Sequence, residues 1–155
     1  MRIKMRFLAV GLTLFTSICS ADGLTGKTIP PYPQGWSEPE GTCLADCRYN
    51  IGVLSKGSAR TLYLGKESPS STADSPRWLV LDEMPYPQAP SGFRVTYGTC
   101  QANQKEDPSI IAVVKNTETE WQTQVKFAYR ANIKTGQLET ISTQGVRCAN
   151  EGWGL

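Results

Sequence analysis

The sequence contains no histidine. That absence removes Ser-His-Asp and Cys-His catalysis, histidine general bases, HExxH zinc sites and histidine-based pH sensing. Neither charge is in excess. Sixteen Lys and Arg oppose fourteen Asp and Glu, a formal +2, too balanced for an electrostatic nucleic-acid binder. Phosphate-cradling loops of the GxGxxG or GxxxxGK(S/T) type are missing, as are the SxxK and GxSxG nucleophile patterns. Calcium needs a DxDxDG-like loop, whereas Asp74, Asp82 and Asp107 each stand alone. No apolar run reaches the ~20 residues of a membrane-spanning helix. A chain of 155 residues has room for one domain.

What is present begins with an export signature. Arg2, Lys4 and Arg6 precede the apolar stretch Phe7 to Ile18, and Cys19-Ser20-Ala21 offers small residues for cleavage. Residues 1–21 are therefore expected to be a cleaved signal peptide. Its removal takes three basic residues and no acidic one, so the fourteen acids outnumber the remaining bases. The basicity belongs to targeting, and neither nucleic acid nor a membrane surface is an expected partner of the rest.

Cys19 leaves with the signal. Cys43, Cys47, Cys100 and Cys148 remain, an even number that reads as two disulfides in an exported chain. Three pairings are open to four cysteines. Closure entropy favours Cys43 with Cys47, and hence Cys100 with Cys148. An i,i+4 pair also meets on one turn of helix, so 42–47 is a candidate helical turn, as is 101–107.

Residues 22–41 carry Pro30, Pro31, Pro33 and Pro39 and read as an extended or looped lead-in. From residue 42 to 155 a single β-rich domain is expected. Period-two alternation, broken by Gly, Pro, Asn and Ser, predicts strands at 48–54, 60–65, 77–82, 93–98, 109–115, 121–133, 137–142 and 145–148. In 121–133, Trp121, Thr123, Val125, Phe127, Tyr129, Ala131 and Ile133 fall on one apolar face, a strand long enough to need a bend or bulge. The expected fold class is all-β and mostly antiparallel, a small barrel or sandwich of about seven or eight strands with two disulfides.

With no histidine, hydrolysis would fall to carboxylates. Asp82 and Glu83 are adjacent on a predicted strand, so they point to opposite faces and do not form a pair across a cleft. Four aromatics in predicted loops or at the C-terminus, Tyr32, Trp36, Tyr86 and Trp153, are the candidate partner surface. Loop aromatics serve either as anchors for a partner or as caps on the open ends of a small β domain. The stretch Ser91-Gly92-Phe93-Arg94-Val95-Thr96-Tyr97 is similar to the Ser-Gly loop before a tyrosine in periplasmic lysozyme inhibitors of the C-type-inhibitor family. The spacing to Tyr97 is longer here and that family's second motif is missing, so no residue role is carried over. The expectation is an exported, non-catalytic envelope protein, periplasmic or secreted, of inferred bacterial origin. It would bind one protein partner as an inhibitor or immunity protein does, without metal or cofactor. A structural or accessory envelope role is the alternative, ahead of a carboxylate hydrolase.

Overall fold

The run Ile110-Ile111-Ala112-Val113-Val114 has no polar position to turn toward water, so a strand built from it must be covered on both faces. The computed structural model, which describes residues 23–154, places it at the centre of three antiparallel sheets. The expected signal, residues 1–21, lies outside the described residues. The back sheet has the order β1 (Thr28–Ile29), β5 (Trp78–Pro85), β4 (Ala59–Glu67), β3 (Tyr49–Lys56), β2 (Ser37–Leu44). The middle sheet runs β12 (Gln137–Thr140), β11 (Val125–Asn132), β9 (Ile110–Lys115), β6 (Phe93–Tyr97). The front sheet runs β10 (Trp121–Gln122), β13 (Val146–Ala149), β7 (Cys100–Ala102), β8 (Lys105–Glu106). Seven strands have five residues or more (β2–β6, β9 and β11), and the rest are short ladder pieces. The chain is all-β with antiparallel sheets, and no helix is present among the described residues.

Burial follows the alternation of β9. Ile111 joins Leu44, Ile51, Leu62, Leu64 and Ala131 in a core between the middle and back sheets, which curve around it as a half-barrel. Ile110, Ala112 and Val114 turn the other way, onto Val146 and the Cys100–Cys148 bridge of the front sheet. Each fully buried Ile or Val here contributes ~1.5–3 kcal/mol.

The back sheet has a second apolar face, formed by Leu54, Tyr63 and Val80, which the lead-in covers. Leu24 and Ile29 are buried against it, and Tyr32 and Trp36 pack beside them. The lead-in, expected to be extended or looped, turns at residues 25–26 and 34–35 and takes part in ladders between them and after them. Thr28 and Ile29 pair with Leu79 and Trp78, and residues 37–44 pair with β3. Glu83 fastens the lead-in by accepting the backbone N–H groups of Leu24 and Thr25.

Both disulfides form as closure entropy favoured, Cys43–Cys47 and Cys100–Cys148. The helical turns do not. At 42–47 the chain leaves β2 and reverses through Ala45, Asp46 and Cys47, all at positive φ (50°, 56° and 59°), a left-handed turn closed by the bridge. At 101–107 it forms the β7–β8 hairpin, turning on Asn103 and Gln104 at φ 50° and 66°. Left-handed geometry costs an L-residue roughly 1–2 kcal/mol, so hairpin pairing must hold these turns.

The single strand expected over 121–133 is two. Trp121–Gln122 pairs in the front sheet, Thr123 and Gln124 lie between, and β11 belongs to the middle sheet. A bulge between Val125 and Phe127 then reverses which side each residue faces. Val125 and Ala128 pack toward the front sheet, Tyr129 and Ala131 toward the back sheet, and Phe127 is 44% exposed. Strict alternation put Ala128 on a wet face, but the front sheet covers that side and buries it, while Phe127, on the side of Tyr129 and Ala131, is left exposed.

Candidate functional site

The half-barrel closes on one side only. There the Asp82 carboxylate of β5 accepts the Leu138 N–H of β12 at 2.8 Å, joining the back and middle sheets. On the other side β2 and β6 are both edge strands, and no ladder joins them. Each leaves one row of backbone N–H and C=O groups without a sheet partner. Between them lies a groove of about 300 Å³ lined by Glu40, Thr42, Arg94, Thr96, Tyr97 and Glu151. The edges touch at one end, where a Cβ on Gly98 would lie 3.0 Å from Thr42 Oγ1.

The polar groups of this groove are already held in place. Arg94 Nε and Nη2 donate to the buried Gln122 Oε1 at 3.2 and 2.9 Å, and Nη2 reaches Asn150 Oδ1 at 3.5 Å. Glu40 pairs with Arg60, whose guanidinium lies over the Tyr86 ring, 3.7 Å from its centroid. Burial, then the neighbouring Tyr86, Glu151 and Glu38, push the Tyr97 phenol up to about 12 against the opposing pull of Arg60. A recess of about 420 Å³ lies elsewhere, beside the left-handed turn, where Asp107 accepts from Arg130 and Ser109.

The four sequence candidates do not share one surface. Tyr32 and Trp36 lie behind the back sheet, packed on its covered face. Tyr86 packs on the half-barrel core under Arg60, near Tyr97. Trp153 is 54% exposed, two residues beyond the groove residue Glu151. Asp82 and Glu83 point apart, as their adjacency required, and each accepts backbone N–H groups.

Sequence reasoning missed a polar cluster on the outer side of β2. The register shift between Ser37 and Glu40 is a bulge that turns Glu38 to the outer face. Its Oε2 accepts from Tyr32 Oη at 2.7 Å and its Oε1 from Tyr63 Oη, and Asn50 Nδ2 donates to Tyr63 Oη at 2.9 Å. Burial first, then the bond to Glu38 and its charge, push the Tyr32 phenol up to about 12 and the Tyr63 phenol higher still. A legible sign was the trio Gly41, Gly52 and Gly65 in a sheet otherwise rich in side chains. A Cβ on Gly52 would overlap the Tyr63 ring and Glu38, and one on Gly65 would overlap Asn50 Oδ1.

Two results follow. Alanine in a strand ordinarily gains ~0.5–1 kcal/mol over glycine. Gly52→Ala is instead expected to lower stability by about 2 kcal/mol through overpacking, read from the urea midpoint. The second concerns alkaline pH. Tyr32, Tyr63 and Tyr97 hold their protons above the ordinary value of 10.0, so the folded state binds more protons than the unfolded one above that pH. Their contribution is complete below pH 10 and is lost as the pH rises toward 12. The urea midpoint should fall across that window, and phenolate absorbance of these three should appear late. A midpoint flat from pH 10 to 12 would contradict it.

Comparison with protein-family models, curated proteins and solved structures finds no match to this chain.

Proposed function

We propose that this chain is an exported binding protein, periplasmic or secreted, whose half-barrel seam receives an extended segment of one protein partner. The observation that carries this reading is the pair of unpartnered strand edges, β2 and β6, facing one groove. An extended segment between them would complete the barrel by strand addition. Main-chain hydrogen bonds would supply affinity, and Arg94, Tyr97 and Glu151 would select side chains. Trp153, exposed and two residues beyond the groove residue Glu151, would serve as an aromatic anchor. Two disulfides are consistent with an oxidising compartment, and no helix of the described residues is long and apolar enough to cross a membrane. No catalytic or metal role is part of the proposal. An inhibitor or an immunity protein fits this mode of binding, in which an inserted segment is held without being processed.

The test immobilises the oxidised chain from residue 22 and presents extracellular and periplasmic protein at low and high salt. A stoichiometric, salt-resistant partner is expected. Its binding should shift the backbone amide resonances of residues 37–44 and 93–97. A footprint that leaves both edges untouched would overturn the reading. Failure to retain any partner on a folded bait would move the balance to a structural envelope role.

A further inference from the structure

The two disulfides stand in opposite surroundings. Cys100 and Cys148 are 2% and 0% exposed, in the core that the front sheet shares with β9. Cys43 and Cys47 are both exposed, at the tip of the β2–β3 hairpin. We propose that Cys43–Cys47 is a site of reversible thiol–disulfide exchange, opened by a dithiol and closed again while the rest of the fold stays intact.

Strand register turns this bridge toward water. At the end of β2, Leu44 enters the half-barrel core and is 4% exposed. Its neighbour Cys43 therefore faces the other way, where it borders an open recess with Glu38 and Trp78. Cys47 ends the turn at the surface. Exchange begins when a thiolate reaches one sulfur of the bridge, so access governs its rate. At Cys100–Cys148 the same attack has to wait until the front sheet opens.

The turn supplies a tendency to open. Ala45, Asp46 and Cys47 hold φ of 50°, 56° and 59°, three L-residues in succession in the left-handed region. L-residues visit that region singly, and a run of them is disfavoured at every step. The bridge closes this run, and opening it frees the three residues to relax. The relaxation favours the dithiol form. It also stays local. Leu44 and Tyr49 pair directly beyond the turn, and both pack in the half-barrel core, so the hairpin holds when its tip is released.

The reaction balances with a dithiol as reductant. One of its thiolates attacks a sulfur of the bridge, breaks the S–S bond and forms a mixed disulfide. The other cysteine leaves as a thiolate and takes up a proton. The second thiol of the reductant then attacks the mixed disulfide and releases the first cysteine. This chain gains two electrons and two protons in all, and the dithiol becomes a disulfide.

The test incubates the oxidised protein with dithiothreitol in the absence of denaturant, quenches with N-ethylmaleimide and maps the labelled cysteines by peptide mass. Cys43 and Cys47 should be labelled at a rate that rises with the dithiol, about a hundredfold or more faster than Cys100 and Cys148. Amide shifts in the opened form should be confined to residues around 42–50, and oxidised dithiothreitol should restore the original spectrum. Ala45→Gly accepts a positive φ without steric cost, so in mixtures of reduced and oxidised dithiothreitol it should move the equilibrium about threefold or more toward the bridge. Equal labelling of the two bridges, shifts that spread into β9, or a glycine variant with an unmoved equilibrium would each overturn the proposal. None of these readouts involves a partner, so failure here leaves the strand-addition reading standing.

Discussion

A variant carrying Cys100→Ala and Cys148→Ala together is expected to lose about 4 kcal/mol of stability, from the loop entropy of a 48-residue link. The loss is a large fraction of the 5–15 kcal/mol that holds an ordinary domain together. The bridge also lies inside the core. Cys100 is 2% and Cys148 0% exposed, and both pack with Ile110, Ala112 and Val114 of β9. Removing it therefore loosens β7 from β13 within the front sheet, on the face that packs against β9. The matching Cys43→Ala, Cys47→Ala variant spans a separation of only 4, for which the same model gives about 2 kcal/mol. Release of three left-handed residues at that turn offsets part of the smaller loss. Urea unfolding of the two variants decides the matter. Equal losses, or the reverse order, would show that the long link does not govern stability.

Joining the two seam edges covalently is expected to weaken partner binding about a hundredfold or more. An inserted strand needs ~4.8 Å on each side, so β2 and β6 must stand roughly 10 Å apart where it enters. At Thr42 and Gly98 they are closer. A Cβ on Gly98 would lie 3.5 Å from Thr42 Cβ, within the roughly 3.5–4.5 Å span of a disulfide. Thr42→Cys with Gly98→Cys should thus oxidise without moving the backbone and hold the edges together. The cysteine at position 98 sits at φ +82°, which costs about 1 kcal/mol of stability. About three main-chain bonds at ~1 kcal/mol each are denied to the partner, which gives the expected fold-change. The single variants Thr42→Cys and Gly98→Ser, unable to bridge, should bind within about threefold of the native chain. A stapled protein that binds normally in calorimetry would mean that the partner lands elsewhere.

The alternating stretches around residues 48–54, 60–65, 77–82, 93–98 and 109–115 announced β3, β4, β5, β6 and β9, because each presents a dry side to a core or, in β9, two. β2 was hidden because Ser37-Glu38-Pro39-Glu40-Gly41 shows neither apolar alternation nor β propensity. It is an edge strand, and an edge tolerates proline and acid that a central strand rejects. The break after Gln122 and the bulge at Val125 were invisible for a different reason. Each is set by which sheet the neighbouring residues join, and that is decided by partners far away in sequence.

The site was harder to read than the fold. Tyr32, Trp36, Tyr86 and Trp153 were visible as loop aromatics, but sequence position does not say which face of a sheet a loop crosses. The lead-in folds behind the back sheet and carries Tyr32 and Trp36 away from the seam. The seam itself has no local signature, since an edge is defined by the strand that is missing beside it. Glu38 was passed over as one acid in a polar stretch, and only the bulge brings it under two phenols.

The connectivity of the bridges bears on how the chain is made. A polypeptide emerges N-terminus first. Beyond the expected signal, the first thiol to appear, Cys43, is partnered by the second, Cys47, and the third, Cys100, by the fourth, Cys148. An oxidant that joins each new cysteine to the last one still free produces the native pattern directly. No bond has to be broken and remade, so a simple thiol oxidase suffices and a disulfide isomerase is dispensable.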